Sequence, residues 1–261
     1  MTDDDPFDLA LDALEAGAPR EALAEAARID DAPLRGYAES LAYLDLKMLE
    51  AARGALGRLE EAAGADAPLA LRIRGELDLA AWRIEDARSA AEAYADADPE
   101  DPWPWVTLAL CHDVLGDANS ALDAQRRAHA LDPEAVPAPF TVTDVEFDAV
   151  VEETLAGLPE MFRRALDGVR IVREPTPSHE LAEAAPLDTP PDALGFFHGR
   201  TIHDEELSGE LPATVYLFRR NLERIAADRG ELSHEIRITL LHEIGHALGL
   251  DEDEVAAMGL A

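Results

Sequence analysis

A recurrence of 34 residues in the first half of the chain restricts the fold more than any other feature. When DARSAAEAYADADPEDPWPW is aligned with NSALDAQRRAHALDPEAVPAP, Ala87 falls on Ala121 and Pro99 on Pro133, each 34 residues apart. A period of this length is typical of stacked helix pairs, in which each unit buries its apolar face against the next. Small residues let antiparallel helices approach closely, and the proline ends one pair before the next begins. The pattern predicts a row of helix pairs.

The order of residues within these units resembles the tetratricopeptide repeat family. The residues that carry the resemblance are Trp105, Leu108, Gly116, Ala121, Ala128 and Pro133, with an earlier copy at Gly75, Ala87 and Pro99. Segments 8–33 and 36–68 are interpreted as degenerate copies. We therefore expect residues 1–137 to form a tetratricopeptide-like helical repeat domain that binds a protein or peptide. Trp103 and Trp105 are interpreted as packing residues of this domain.

Composition favours helices over sheets. Hydrophobic residues make up 48% of the chain and aromatic residues only 5%, and much of the apolar content is alanine. Such a chain favours closely packed helices rather than an aromatic-rich sandwich. The single cysteine, Cys111, excludes a disulfide within the chain, and its apolar neighbours predict a small core residue.

The charge of the chain restricts its partners. Fifty-five acidic residues against 22 basic ones give a formal net charge of −33. A surface this negative repels nucleic-acid phosphates and anionic membranes, so neither is an expected partner. The N-terminal run MTDDDPFDLAL is acidic where a secretory signal is basic, and no apolar run reaches membrane-spanning length. We therefore expect a cytoplasmic protein, with no oligomeric state indicated.

A second domain is predicted over residues 140–261, after the proline-spaced connector AVPAPF. Helical spacing predicts a helix in FDAVVEETLAGL, and β-branched residues predict strands in GVRIVRE from Gly168 and in ATVYLFR from Ala213. Five prolines predict a long loop over 174–192. NLERIAADRG is predicted to be a short helix that Gly230 ends, and the final helix is predicted from Glu231 to Gly249.

The run HEIGHALGLDED carries the clearest chemical signal. Ile236, Leu240 and Ile244 mark an apolar face, which predicts a helix through the motif. His242 and His246 are four residues apart, so a helix places both imidazoles on one side, where they can bind one tetrahedral zinc ion. Glu243 lies beside them and is the candidate general base, as in the HExxH pattern.

Zinc in a hydrolytic site needs a third protein ligand. Gly249 can adopt the left-handed conformation that ends the helix and turns the chain back towards the metal. Glu252 occupies the position of the third histidine in HExxHxxGxxH, and only 15 residues follow His246. Glu252 is therefore the predicted third ligand, with Asp251 and Asp253 as alternatives.

From about residue 144 to 261 the chain resembles the minimal zincin-like metallopeptidase family. The resemblance rests on FDAVVEETLAGLPEMFRRALDGVRIV, LGFFHGR, LPATVYLFRRNLER and HEIGHALGLDEDEVAAMG. It implies His242 and His246 as ligands, Glu243 as the base, and a small sheet packed on the active-site helix. The expected fold is mainly α, with helix-pair repeats followed by a small α+β zincin-like domain.

Two functions remain open on these observations. The first is a zinc-dependent metallopeptidase in which Glu243 is the general base and the strand around Val215 pairs with an extended substrate if that strand is a sheet edge. Arg219, His203 and His198 are candidates for the oxyanion donor. The alternative is a non-catalytic interaction adaptor whose zinc site only stabilises the small domain.

Overall fold

The structure, a computed structural model, describes residues 5–166, 168–184, 189–199 and 213–247. The chain divides into two compact units, Met1–Leu131 and Asp132–Ala261. The predicted domain limits of 137 and 140 stay a prediction. In the described part of the chain, no helix is both long and apolar enough to cross a membrane.

The described part of the first unit contains eight helices, and each odd-numbered helix packs against the next one along the chain. Their bounds are α1 (Pro6–Glu15), α2 (Pro19–Ala26), α3 (Ala32–Asp45), α4 (Leu49–Ala63), α5 (Pro68–Ala80), α6 (Ile84–Ala97), α7 (Trp103–Val114) and α8 (Ala118–Leu131). Helices α6 and α8 begin 34 residues apart, which matches the recurrence in the sequence.

The same type of turn connects the two helices within each of the four pairs. Two residues after the first helix ends, the chain takes a left-handed conformation, at Gly17, Lys47, Trp82 and Gly116. The next residue donates a backbone hydrogen bond to the carbonyl five positions earlier, at 2.8 Å in all four turns, as from Ala18 to Ala13. This bond pattern is the Schellman ending of a helix. The four pairs are therefore structurally equivalent units, and the tetratricopeptide resemblance itself stays a prediction.

Alanines occupy many of the buried positions of the first unit. Ala87 and Ala121, the residues that the recurrence aligns, are 0% and 1% exposed. Cys111 is buried, as its apolar neighbours predict. Trp105 packs against a cluster of buried residues, whereas Trp103 is 42% exposed. Trp103 nevertheless contacts Arg72, whose guanidinium lies 5.0 Å from its ring centroid, so neither tryptophan contradicts the interpretation as packing residues.

The second unit combines helices with a three-stranded sheet. The helices are α9 (Asp144–Gly157), α10 (Glu160–Ala165), α11 (His179–Ala184), α12 (Arg219–Ile225) and α13 (Arg229–Ala247), and the strands are β1 (Arg170–Glu174), β2 (Gly195–His198) and β3 (Thr214–Phe218). The strand order is β1-β3-β2; β3 is parallel to β1 and antiparallel to β2. The expected fold, helices followed by a small α+β region, is confirmed.

The two faces of the sheet have different surroundings. Val215 and Leu217 of β3 and Phe197 of β2 belong to one buried cluster with residues of α9 and α13. On the other face, Phe196 stacks on Tyr216 with ring centroids 4.8 Å apart. Alternate residues of a strand point to opposite faces, so Gly195 shares the α13 face with Phe197, and His198 shares the aromatic face with Phe196.

Three predictions about the second unit are corrected by the structure. Val215 lies in the central strand, which has a partner on both sides, so β3 is not the exposed edge that substrate pairing requires. Gly230 lies in the first turn of α13 and does not end α12, which ends at Ile225. The segment 174–192, predicted to be a loop, contains α11.

Candidate metal centre

Two acidic side chains, one just before α13 and one in its first turn, cap the N-terminus of this helix. The Oδ1 atom of Asp228 accepts from the backbone N–H groups of Gly230 (2.7 Å) and Glu231 (3.0 Å). The Oε2 atom of Glu231 accepts in turn from the N–H of Ala227 at 2.8 Å. These bonds satisfy donors that a helix N-terminus otherwise leaves without partners. Aspartate capping therefore starts the helix two residues before the predicted position and overrides the weak helix propensity of Gly230.

Two stripes of α13 have opposite characters. The predicted apolar residues Ile236, Leu240 and Ile244 are each 0% exposed and anchor the helix to the core. Residues three and four apart share a helix face, so Thr239, His242, Glu243 and His246 follow one another along a second stripe. Of these, Thr239 is 5% and Glu243 is 6% exposed, while His242 is half-buried.

The structure places only part of the predicted ligand set. His242 and Glu243 are described with their side chains, and the backbone of His246 lies one helical turn after His242. The side chain of His246 lies outside the description, as do Gly249 and the acidic run Asp251, Glu252 and Asp253. Among the side chains that are described, no three His, Cys, Asp or Glu converge as a metal site. The third-ligand assignment therefore stays a prediction.

The residues present suit zinc by their donor chemistry. Imidazoles at positions i and i+4 of a helix share one side, and nitrogen donors of this kind, completed by a carboxylate, form catalytic zinc sites with an open fourth position. His242 is half-buried, and the helix that carries it is anchored by the buried stripe of Ile236, Leu240 and Ile244.

Strand β2 lies directly beside the turn of α13 that precedes His242. A Cβ atom on Gly195 would lie 2.7 Å from Cγ2 of Thr239 and 2.6 Å from the carbonyl oxygen of Tyr216. Real Cβ atoms do not approach this closely, so only glycine permits the observed contact. Gly195 therefore sets how near β2 comes to α13. Sequence reasoning missed this residue, although a glycine at the start of a short aromatic run is a signal of close backbone approach.

The ladder between β2 and β3 defines which backbone groups face outward. The N–H of Phe218 donates to the carbonyl of Leu194 at 2.9 Å. Because hydrogen-bonded pairs alternate along an antiparallel ladder, Phe196 and His198 bond to β3. The N–H and C=O groups of Gly195 and Phe197 consequently point away from β3. Among the described strands, β2 is an edge of the sheet on this side.

Asn221 of α12 holds the turn that leads into β2. Its Nδ2 group donates to the carbonyl oxygens of Pro191 (2.9 Å) and Ala193 (2.7 Å). Its Oδ1 atom accepts from Arg224 at 3.0 Å, and the residue is 1% exposed. Both amide hydrogens of Asn221 thus bond to the same turn. Because the side chain is buried, loss of these hydrogen bonds would leave buried polar groups without partners and would destabilise the fold.

A buried carboxylate organises the start of α12. Glu223 is 1% exposed and accepts hydrogen bonds from Arg219 (3.0 Å), Arg220 (2.5 Å) and the backbone N–H of Val142 (3.0 Å). Arg219 also donates to the carbonyl of Val142 at 2.9 Å and pairs with Asp144. These contacts connect α12 to the segment that leads into α9.

The two described candidates for the oxyanion donor, Arg219 and His198, do not lie beside His242 and Glu243 in a position to act on a substrate there. Arg219 is engaged by the buried carboxylate of Glu223, and His198 lies on the aromatic face of the sheet, away from α13. The Nδ1 atom of His198 is buried without a hydrogen-bond partner among the described residues. His203 lies outside the described residues. We therefore do not place the oxyanion donor on either described candidate.

Comparison with known proteins bears on the second unit. No curated protein matches the chain. The sequence model of one protein family, described as zincin-like metallopeptidase, matches residues 166–260. The matched range contains the three strands, α12, α13 and the HExxH run, whereas α9, which the resemblance from about residue 144 included, precedes it. Residues 166–260 are thus similar to zincin-like metallopeptidases.

Proposed function

We propose that the chain is a zinc-dependent metallopeptidase whose first unit binds a protein or peptide. The observation that carries the proposal is the match of residues 166–260 to the zincin-like metallopeptidase family, because that range contains His242, Glu243 and His246 on one helix. His242 and His246 would hold the metal, with Glu252 as the third ligand. Zinc, when bound in such a site, lowers the pKa of water and polarises a carbonyl group.

Glu243 moves the proton in this proposal. Its carboxylate takes a proton from the water whose oxygen attacks the scissile carbonyl carbon, and it then gives that proton to the nitrogen of the leaving amine. The residue is 6% exposed and follows His242 directly on a helix anchored at three buried positions. A general base needs a rigid support of this kind.

The edge of β2 is the better candidate for binding the substrate backbone. Gly195 and Phe197 direct their N–H and C=O groups away from β3, and Gly195 lies against the turn of α13 before His242. An extended peptide that pairs with this edge would run beside the proposed metal site. This assignment replaces the strand around Val215.

The test of the proposal begins with metal content. We expect one zinc ion per chain in the purified protein, measured by mass spectrometry of the dissolved metal. His242→Ala and His246→Ala should each lower this content. His234→Ala is the matched control, because His234 lies on the same helix but is exposed. Equal zinc content in all four proteins would refute the site.

The second part of the test is a peptide-library digest. The zinc-loaded wild type should release cleaved products. Glu243→Gln should abolish cleavage while it keeps the zinc, because only the base is removed. Glu235→Gln, on the same helix, should still release products, because it leaves the base in place. A wild type that binds zinc but cleaves nothing would support the alternative, a non-catalytic adaptor with a structural zinc site.

The third ligand has its own test. Glu252 reaches the metal only if Gly249 reverses the chain, since a continued helix would carry the acidic run about 9 Å beyond His246. Glu252→Ala and Gly249→Val should therefore each weaken zinc binding about tenfold or more in a calorimetric titration. Asp251→Ala and Asp253→Ala should matter less, and a large loss from either one alone would reassign the ligand.

A further inference from the structure

The stripe of α13 that carries Thr239, His242 and His246 extends back to Glu235. These positions are spaced by four, three and four residues within the described helix, and this spacing keeps them on one face. Around the helix axis, Glu235, His242 and His246 lie within about 40° of one another, because each residue advances by about 100°. Along the axis, Glu235 lies about 10.5 Å before His242. Glu235 is therefore on the same side of α13 as the proposed metal ligands, two turns earlier.

The carboxylate of Glu235 has no partner among the described residues. It accepts no hydrogen bond and forms no ion pair there, although the residue is half-buried. Glu231, one turn earlier on the same helix, already accepts from the backbone N–H of Ala227. Partial burial removes water from a carboxylate, and a cation beside it restores the lost stabilisation. The unused capacity at this position is therefore that of a negatively charged acceptor, and it suits a cationic donor.

An extended peptide at the edge of β2 would pass over Glu235. Strand β2 reaches α13 at Thr239, which Gly195 contacts. Around the helix, the buried stripe that packs with β3 lies on one side of Thr239, and Glu235 and His242 lie on the other side. A further strand would lie about 4.8 Å beyond β2, over the side of α13 that carries Glu235 and His242. The separation of about 10.5 Å between these two residues corresponds to about three residues of an extended chain, which advances about 3.3 Å per residue.

We propose that Glu235 binds a lysine or arginine side chain of the substrate, about three residues from the peptide bond that is cleaved. The inference rests on the proposed peptidase function and specifies the substrate class of that same site. The net charge of −33 attracts cationic peptides to the whole chain. Glu235 adds position to this attraction, because a single carboxylate beside the peptide path selects where the basic residue lies relative to the cleaved bond.

The test is a digest of two decapeptide libraries by the zinc-loaded protein. In the first library, every peptide carries one arginine at a varied position among uncharged residues. In the second, citrulline replaces the arginine and keeps its shape without its charge. Mass spectrometry of the products gives the distance from this residue to the cleaved bond. Cuts of the arginine library should be enriched about tenfold or more at a distance of about three residues, because a hydrogen bond to a charged group changes an equilibrium by about that factor. The citrulline library should show no enriched distance.

Three variants assign the preference to one side chain. Glu235→Gln keeps the size of the side chain and removes its charge, so it should still cleave but lose the enrichment. Glu235→Lys should deplete arginine at the same distance. Glu160→Gln is the matched control, because it removes an exposed glutamate of the same unit that pairs with Arg164 on α10, and it should keep the enrichment. Circular dichroism verifies that all variants are folded.

Binding without cleavage is the second readout. Both libraries are passed over immobilised protein that carries Glu243→Gln, and the retained peptides are measured by mass spectrometry. Arginine peptides should be retained more than citrulline peptides. Addition of Glu235→Gln should remove this difference, whereas addition of Glu160→Gln should not.

Two results would overturn the inference alone. The first is cleavage of the arginine library with no enriched distance. The second is an enrichment, or a difference in retention, that Glu235→Gln leaves unchanged, which would assign the preference to the net charge of the chain. Absence of cleavage by the zinc-loaded wild type would instead refute the proposed peptidase and the inference with it, so the two failures are distinguishable.

Discussion

Substitution of Gly195 by alanine tests the contact that brings β2 against α13, the helix of the proposed metal site. The added Cβ would lie 2.6 Å from the Tyr216 carbonyl oxygen and 2.7 Å from Cγ2 of Thr239. Carbon atoms at optimal separation are about 3.5–4.0 Å apart, so the overlap with Thr239 is about 1 Å. Overpacking of this kind costs about 1–3 kcal/mol. We therefore expect Gly195→Ala to lower the free energy of unfolding of the second unit by that amount.

A second substitution identifies the source of the strain. Thr239→Ser removes Cγ2 and with it one of the two overlaps, so the double variant should recover at least about 0.5 kcal/mol relative to the sum of the single changes. Gly157→Ala is a control for which the free energy of unfolding should not fall. Gly157 is the last residue of α9, and a methyl group added there would meet open space, so alanine should be neutral or stabilising by up to about 1 kcal/mol.

The assay is urea denaturation followed by hydrogen exchange and mass spectrometry, because fragments from β3 and α13 report the second unit alone. All three tryptophans lie in the first unit, at positions 82, 103 and 105, so fluorescence would report the wrong part of the chain. A Gly195→Ala variant whose second unit unfolds within about 0.5 kcal/mol of the wild type would refute the close approach of β2 to α13.

Three further predictions concern the two units separately. Lys47 has a φ of 56°, so Lys47→Gly should stabilise the first unit by about 1 kcal/mol in thermal melts, and Lys47→Ala should not. The pKa of Tyr37 is raised to about 12 from an ordinary value of about 10, so its contribution to stability is complete below about pH 10 and lost as the pH rises towards about 12. Tyr37→Phe should therefore reduce alkaline destabilisation, measured by urea titrations at about pH 9 and about pH 11.5. Glu223→Gln should destabilise the second unit by about 3–5 kcal/mol in the exchange assay, because two arginines lose a buried counter-charge; a loss below about 1 kcal/mol would contradict the buried network.

Local patterns predict the elements that are long or strongly periodic. α13 begins within two residues of the predicted start, and the apolar stripe of Ile236, Leu240 and Ile244 is buried as predicted. The predicted strands from Gly168 and Ala213 correspond to β1 and β3. In each case the signal lies within one element, so a single sequence suffices to read it.

Short elements and long-range packing are not predictable in the same way. β2 has only four residues, which is too few for an alternating pattern to be distinguished from a loop. The order β1-β3-β2 makes the last of the described strands central, and no local signal in ATVYLFR indicates a partner on both sides. The start of α13 is ambiguous for a related reason, because Gly230 alone indicates a helix end and only the hydrogen bonds of Asp228 show that a helix begins there.

The same distinction separates the chemistry proposed for this chain from the recognition of partners proposed for it. The HExxH motif can be recognised in the sequence because residues four apart lie close together on one face of a helix. The contacts proposed for recognition join elements far apart in the chain, as Gly195 does with Thr239. Yet the repeat geometry offers a partial guide, since Tyr37 and Arg72 each precede the left-handed residue of their turn by ten positions. When the helix pairs are aligned on that turn, the ring of Tyr37 and the guanidinium of Arg72 occupy equivalent positions of adjacent pairs. Equivalent positions of stacked pairs lie side by side, so the repeat itself accounts for the contact between the two side chains.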